Sequence, residues 1–476
     1  MVFSSLLFLF VFLTANLIVY FAVPAKKRNK VLLIFSLVFY AWGGPRYLLL
    51  LAGETLCSWL FALKIEEARA GYTKRSEKFY LVCDLVIMLG CLGVFKYLSF
   101  ILGNFKALFG VPKVVPEIVL PIGISFYTFQ LISYVVDVYR NEVKPQKEYW
   151  KLLLYSSLFH QCIAGPIVRY STVADEIDNR KITANDIYAG VRRFTVGLAK
   201  KAVLANSCAS IADTLLPYGV ESLKAQTTLG MWLGVIAYTM QIYLDFSAYS
   251  DMAIGMGRMV GFHYNENFNY PYMAKSVNGF WRRWHISLSS FFRDYVYIPL
   301  GGNRAGTKKY IRNMAVVWLL TGLWHGASWN FVLWGLYYLI FLLVEKFYLG
   351  GRFGPVGSHI YTMLVVMFGW IIFRFKSMAQ LGTVLIGMIG IGTAGFVNLA
   401  FGTIFLKNIF FLIFAGVACT DLGKRIRKWA VAVGKVNPVV FTLHNVVEML
   451  TPAILLIVSV MALAGASYNP FLYFQF

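Results

Sequence analysis

His325 stands in LLTGLWHGASWNF (319–331), inside a run from Met314 to Val344 that holds no acidic or basic side chain apart from this imidazole. Such a run reads as membrane-buried helix, where a polar side chain is costly unless it faces protein or a wet cavity. His325 is therefore either hydrogen-bonding glue between helices or a reactive group. A neutral imidazole held there suits a general base. Gly322 and Gly326 flank it at i−3 and i+1, small enough for another helix or a substrate to come close. Trp324 and Trp329 are placed to wall a pocket.

A second histidine, His285, lies in WRRWHISLSSFFRDYVYIPLGGNR (281–304). Arg282, Arg283 and Arg293 sit there among Trp281, Trp284, Phe291, Phe292 and Tyr295, the composition of an interfacial or re-entrant helix. The plain reading is a surface helix whose arginines meet lipid phosphate. The alternative is recognition of a phosphorylated cofactor by guanidinium forks, with PLGGN offering glycine-rich backbone amides. His285 and His325 are expected to converge. QIYLDFSAYSDMAIG places Asp245 and Asp251 near the end of a span, where the favoured role is structural: pairing with the arginines or holding a helix end. His160, two residues from Cys162 in FHQCIAGPIVRY, reads as part of a bend more than as a Cys–His nucleophile.

What is missing narrows the chemistry. There is no Walker lysine pattern, no GxSxG elbow and no HExxH. The H-x4-D pattern of soluble glycerolipid acyltransferases fails, because Ser290 occupies the acid position after His285. The six cysteines are scattered without metal-like spacing, so no metal is expected.

The elements that must position these residues are membrane helices. The chain has 476 residues, 59% of them hydrophobic and only 14% charged, against about a quarter charged in soluble domains. The net charge of +22 gathers in short links such as KKRNK (26–30) and KRIRK (424–428). That is the positive-inside pattern, and it points to lipid and topology, with no nucleic acid. No basic residue precedes the first apolar run and a basic cluster follows it, so an uncleaved first span is expected, with its N-terminus outside. Spans then alternate through residues 31–42, 47–63, 79–101, 118–139, 227–248, 313–346, 360–376, 381–402, 403–419 and 438–465. A basic amphipathic helix at 186–205 starts at the cytoplasmic surface. Between 241 and 312 the chain is neither clean span nor soluble loop, and irregular polar backbone at a membrane persists where it lines a cavity.

Four stretches, LTGLWHGASWNFVLWGLYYL, WRRWHISLSSFFRDYVYIPLGGNR, YLDFSAYSDMAIGMGRMVGF and FHQCIAGPIVRY, together resemble the membrane-bound O-acyltransferase family. MVFSSLLFLFVFL and LPIGISFYTFQLISYVVDVYR (120–140) resemble its bacterial alginate O-acetyltransferase membrane-subunit branch. The likeness runs from the N-terminus to residue 346, and the helices over 350–476 are compatible but less diagnostic. It implies an all-α polytopic protein with a single transmembrane domain over 1–476. About 11–13 tilted helices, with re-entrant or interfacial ones, would ring a central tunnel where a cytoplasmic acyl donor meets an acceptor from the far side. The family's near-invariant histidine falls on His325 and a second on His285. Both would be catalytic, with Arg282, Arg283 and Trp324 contacting the donor. The branch implies acetyl transfer from acetyl-CoA to an extracytoplasmic SGNH-type partner with a Ser-His-Asp centre, which O-acetylates a cell-surface or exported polysaccharide. It implies the bacterial inner (cytoplasmic) membrane. The nearest rival is D-alanyl transfer to teichoic acid, a sister branch; a more distant one is a transporter or export channel.

Overall fold

The computed structural model describes residues 1–111, 114–162, 165–304, 306–465 and 469. Among the described residues the secondary structure is helical, without strands. Pro45–Arg69, Glu77–Phe109, Trp329–Leu349, Pro355–Arg374, Leu399–Ala418 and Pro438–Ala464 are each long and apolar enough to cross a membrane. Little of their surface is covered by protein. The most apolar window of Pro438–Ala464 is only 6% buried, with Leu443, Val447, Leu450, Ile454 and Met461 exposed along it. In water such a face would drive aggregation, whereas hydrocarbon accepts it.

Other expected crossings take a different form. The run read as one span over 313–346 is two helices, Thr307–His325 and Trp329–Val344. The break falls where Gly326 and Ser328 are extended (φ 179° and −157°), so His325 ends a helix instead of sitting in its middle. The expected span 381–402 is broken as well. Its helix Met378–Gly387 stops before Gly390, Gly392 and Gly395, which carry φ values of 91°, 70° and 98°. Side chains other than glycine rarely hold three such angles in one short stretch. Ile124–Tyr139 is helical but short, and it buries Ser125, Thr128, Gln130, Ser133 and Asp137 along with its apolar residues. It is covered by protein on nearly every side, which the apolar count could not reveal.

The chain divides into two compact units. One comprises residues 1–194, 252–266 and 293–295; the other comprises 195–251, 267–292 and 296–476. In the first unit, Tyr20, Leu32, Ile65, Tyr134, Leu152 and Tyr155 build the core. Tyr20 donates from its hydroxyl to the Val260 carbonyl at 2.9 Å. Thr183 caps Ala184–Ala199: its hydroxyl accepts from the Asp186 amide at 3.1 Å, and the Asp186 carboxylate accepts in return from the Thr183 amide at 3.2 Å and hydroxyl at 2.6 Å. This is the reciprocal capping arrangement that starts a helix. The Thr183 bonds first, and then His263 and Arg258, hold the Asp186 carboxyl at about 2 against the cost of its desolvation.

In the second unit the core is strongly aromatic. Tyr243, Tyr272, Phe280, Trp284, Trp318, Trp334, Tyr338 and Trp370 are all buried. Thr307–His325 and Trp329–Val344 pack closely because of two glycines. A Cβ added at Gly322 would collide with the Phe331 carbonyl, and one at Gly335 with the Trp318 carbonyl. The small residues therefore admit a helix, as one branch of the sequence reading had it.

Candidate active site

Each histidine of interest is delivered by a local irregularity within the second unit. His325 is the last residue of Thr307–His325, beside the extended Gly326. The turn after it is pinned by Asn330, whose amide donates to the carbonyls of Phe373 at 3.2 Å and Ile372 at 3.3 Å, at the end of Pro355–Arg374. Around the half-buried His325 ring stand Trp324, Trp334, Phe373 and Phe331, with ring centroids at 5.1, 4.9, 5.2 and 6.4 Å. These four rings form an aromatic wall around the imidazole.

His285 follows a short helix, Val277–Trp281, capped by the Ser276 hydroxyl, which accepts from the Gly279 amide at 2.8 Å. Its own φ is +44°, a left-handed angle uncommon outside glycine. That conformation costs about 1–3 kcal/mol and is held only where neighbours enforce it. Two backbone bonds do so here: the Ile286 amide donates to the Asn267 carbonyl, and the Asn269 amide donates to the Arg283 carbonyl, each at 2.9 Å. The His285 ring is buried against Phe246 at 4.7 Å and lies 5.6 Å from Trp324. Its Nδ1 is 3.1 Å from Asn267 Oδ1. Its Nε2 is buried with no hydrogen-bond partner among the described residues.

The structure thus brings His285 and His325 to one indole. Trp324, 2% exposed, has an imidazole bordering it at 5.6 Å and another at 5.1 Å. The other residues singled out by sequence fall differently. Arg282 is exposed; Arg283 is partly buried and reaches the Asn269 carbonyl at 3.5 Å. Trp329 is 57% exposed. Asp245 and Asp251 do have ionic roles, with lysines as the cations: Lys201 lies 2.8 Å from Asp245, both almost wholly buried, and Lys200 pairs with Asp251. His160 belongs to the first unit, its Nδ1 3.4 Å from the Tyr264 hydroxyl. It is placed by the short helix Phe159–Cys162, while residues 163 and 164 of that motif lie outside the described residues.

The PLGGN reading is corrected. The Gly301 amide donates to Ile298 and the Gly302 amide to Tyr297, each at 2.9 Å. Meanwhile Asn313 donates to the Leu300 and Gly302 carbonyls at 3.1 and 3.0 Å. Amides already committed to turn carbonyls cannot cradle a phosphate. Sequence reasoning missed Asn267, although it stands in the polar, irregular 241–312 segment that the reading marked as the place for a site. Among the described residues no group of three or more His, Cys, Asp or Glu side chains is placed to hold a metal ion.

A family model for the membrane-bound O-acyltransferases matches residues 147–381, which include both histidines. A Pseudomonas putida protein named "Probable alginate O-acetylase" is 37% identical over the full length of both chains. One of the same name from Azotobacter vinelandii is 43% identical over 79% of this chain and 76% of its own. A Helicobacter pylori peptidoglycan O-acetyltransferase is 33% identical over 84% of this chain and 82% of its own. The chain belongs to the membrane-bound O-acyltransferase family and is a multi-pass membrane O-acyltransferase.

Proposed function

We propose that this protein transfers acetyl from cytoplasmic acetyl-CoA toward a cell-surface or exported polysaccharide, with His325 and His285 as the catalytic pair. The observation that carries the reading is the two imidazoles on one buried indole, in a chain that aligns end to end with a protein named as an O-acetylase. The acceptor hydroxyl oxygen bonds to the thioester carbonyl carbon and the C–S bond breaks. The hydroxyl proton passes to an imidazole and then to the departing thiolate. The same balance holds if His325 first takes the acyl group on nitrogen and then yields it to the hydroxyl. Arg282 and Arg283 suit the donor's phosphates through guanidinium forks, and Trp324 borders both imidazoles as part of the wall of the site.

The acceptor hydroxyl is the serine of an extracytoplasmic SGNH-type partner, which then acetylates the polymer. Residues 1–476 act as one domain in the inner membrane, with the basic links cytoplasmic and the N-terminus outside. The test is donor turnover by purified protein, using labelled acetyl-CoA with and without such a partner. Thioester loss with label on the partner supports the acetyl relay. Turnover of a D-alanyl thioester on a carrier protein, with acetyl-CoA inert, replaces it with the teichoic acid reading.

A further inference from the structure

We infer that Asn267 is a positioning residue that fixes the tautomer of His285 and so makes His285 Nε2 the proton-accepting atom of the pair. The inference rests on the reading of the two histidines as the active site, and it separates their roles, which the sequence left open.

One group beside Asn267 has a fixed hydrogen-bonding role. The Ser287 backbone amide can only donate, and it lies 3.2 Å from one side-chain atom of Asn267. That atom must therefore be the carbonyl oxygen, Oδ1. The Ser287 hydroxyl, 2.9 Å from the same oxygen, donates to it as well. Asn267 Nδ2 then faces the other way and donates to the Ser250 hydroxyl at 3.1 Å. Ser250 stands on the long Thr228–Met259 helix, next to Asp251 with its Lys200 ion pair. The amide is held at both ends and cannot flip without losing these bonds.

The Ser287 hydroxyl also lies 3.4 Å from His285 Nδ1 but is nearer to Oδ1 and stays on that oxygen, so His285 Nδ1, 3.1 Å from the same Oδ1, carries the hydrogen. A neutral imidazole with Nδ1–H presents a lone pair at Nε2. That nitrogen is the one buried with no partner among the described residues. Leaving a buried acceptor so costs about 1–3 kcal/mol, and a substrate hydroxyl donating to Nε2 recovers it. The strained backbone at His285 and its two bracing bonds fit a ring whose direction matters. Nε2 takes the hydroxyl proton while Nδ1–H stays on Asn267.

The test is nitrogen-15 NMR of histidine-labelled protein in detergent, which is tractable with six histidines. His285 is assigned by loss of its signals in His285→Gln. Wild-type His285 is expected as the Nδ1–H form. Asn267→Leu is expected to lose that preference and to lower kcat on the order of 10²-fold, with the donor KM little changed. Asn267→Asp keeps an acceptor oxygen and should retain the tautomer and most of kcat, a rescue that a space-filling role would not produce. An Nε2–H form in wild type overturns the inference, even if Asn267→Leu fails to fold. So does a folded Asn267→Leu that keeps both tautomer and kcat. Full kcat in His285→Ala would overturn the active-site reading itself, and with it the role drawn for Asn267. Inactive His285→Ala with an Nε2–H wild type overturns the inference alone.

Discussion

His160 and His285 are both buried imidazoles among aromatic rings, one in each unit, yet their surroundings differ. His160 packs edge-on to Phe159 at 4.2 Å and meets the Tyr264 hydroxyl at 3.4 Å. His285 has one nitrogen fixed by an amide that is itself held at both ends, and its other nitrogen is buried with no hydrogen-bond partner among the described residues. It also shares an indole with another histidine. Under the proposed function, what sets His285 apart is an oriented ring, a buried nitrogen with no hydrogen-bond partner among the described residues, and a second imidazole on the same indole.

The comparison breaks most readily at His325. His325→Ala is expected to fold and insert yet lose transfer by at least about 10²-fold, read as labelled acetyl reaching acceptor; normal polymer acetylation by well-expressed protein would contradict it. Next in size is Lys201→Met, which takes the cation away from the almost wholly buried Asp245. It should cost about 3–5 kcal/mol in thermal or denaturant unfolding, largely restored by adding Asp245→Leu. Gly322→Ala forces the two helices that carry the His325 turn apart. A loss of about 1–3 kcal/mol is expected, together with reduced kcat, because His325 and its aromatic cage move with those helices.

His160→Asn keeps a polar amide near the position of Nδ1. It should leave transfer within about threefold while costing about 1 kcal/mol of stability. The smallest effect belongs to the capping threonine. Thr183→Ala should cost about 1 kcal/mol at neutral pH. Since folding lowers the Asp186 pKa to about 2, the linked stabilisation is present in full above the ordinary carboxylate range. It fades as pH falls through about 2, and unfolding curves of wild type and variant should draw together there.

Particular residues show what could be read in advance. His325 and Gly322 stand out in the sequence as a charge-capable ring and a missing side chain in an apolar run, and His285 as a second histidine in a polar, irregular segment. The break at Gly326–Ser328 was not, because a continuous apolar run carries no sign of where its helix stops. The lysine partners of Asp245 and Asp251 were missed because pairing across distant helices depends on tertiary approach, and the arginines were nearer in sequence. Asn267 was missed for a related reason. An asparagine in a polar segment looks like a loop residue until its two ends are seen to bond different elements.

The most direct measurement compares thioester turnover and acceptor labelling in wild type, His325→Ala, His285→Ala and His160→Asn, all purified and shown to be folded. Loss in both variants of the second-unit pair, with His160→Asn active, is the predicted result. An active His325→Ala beside an inactive His160→Asn would place the chemistry in the other unit and contradict the account.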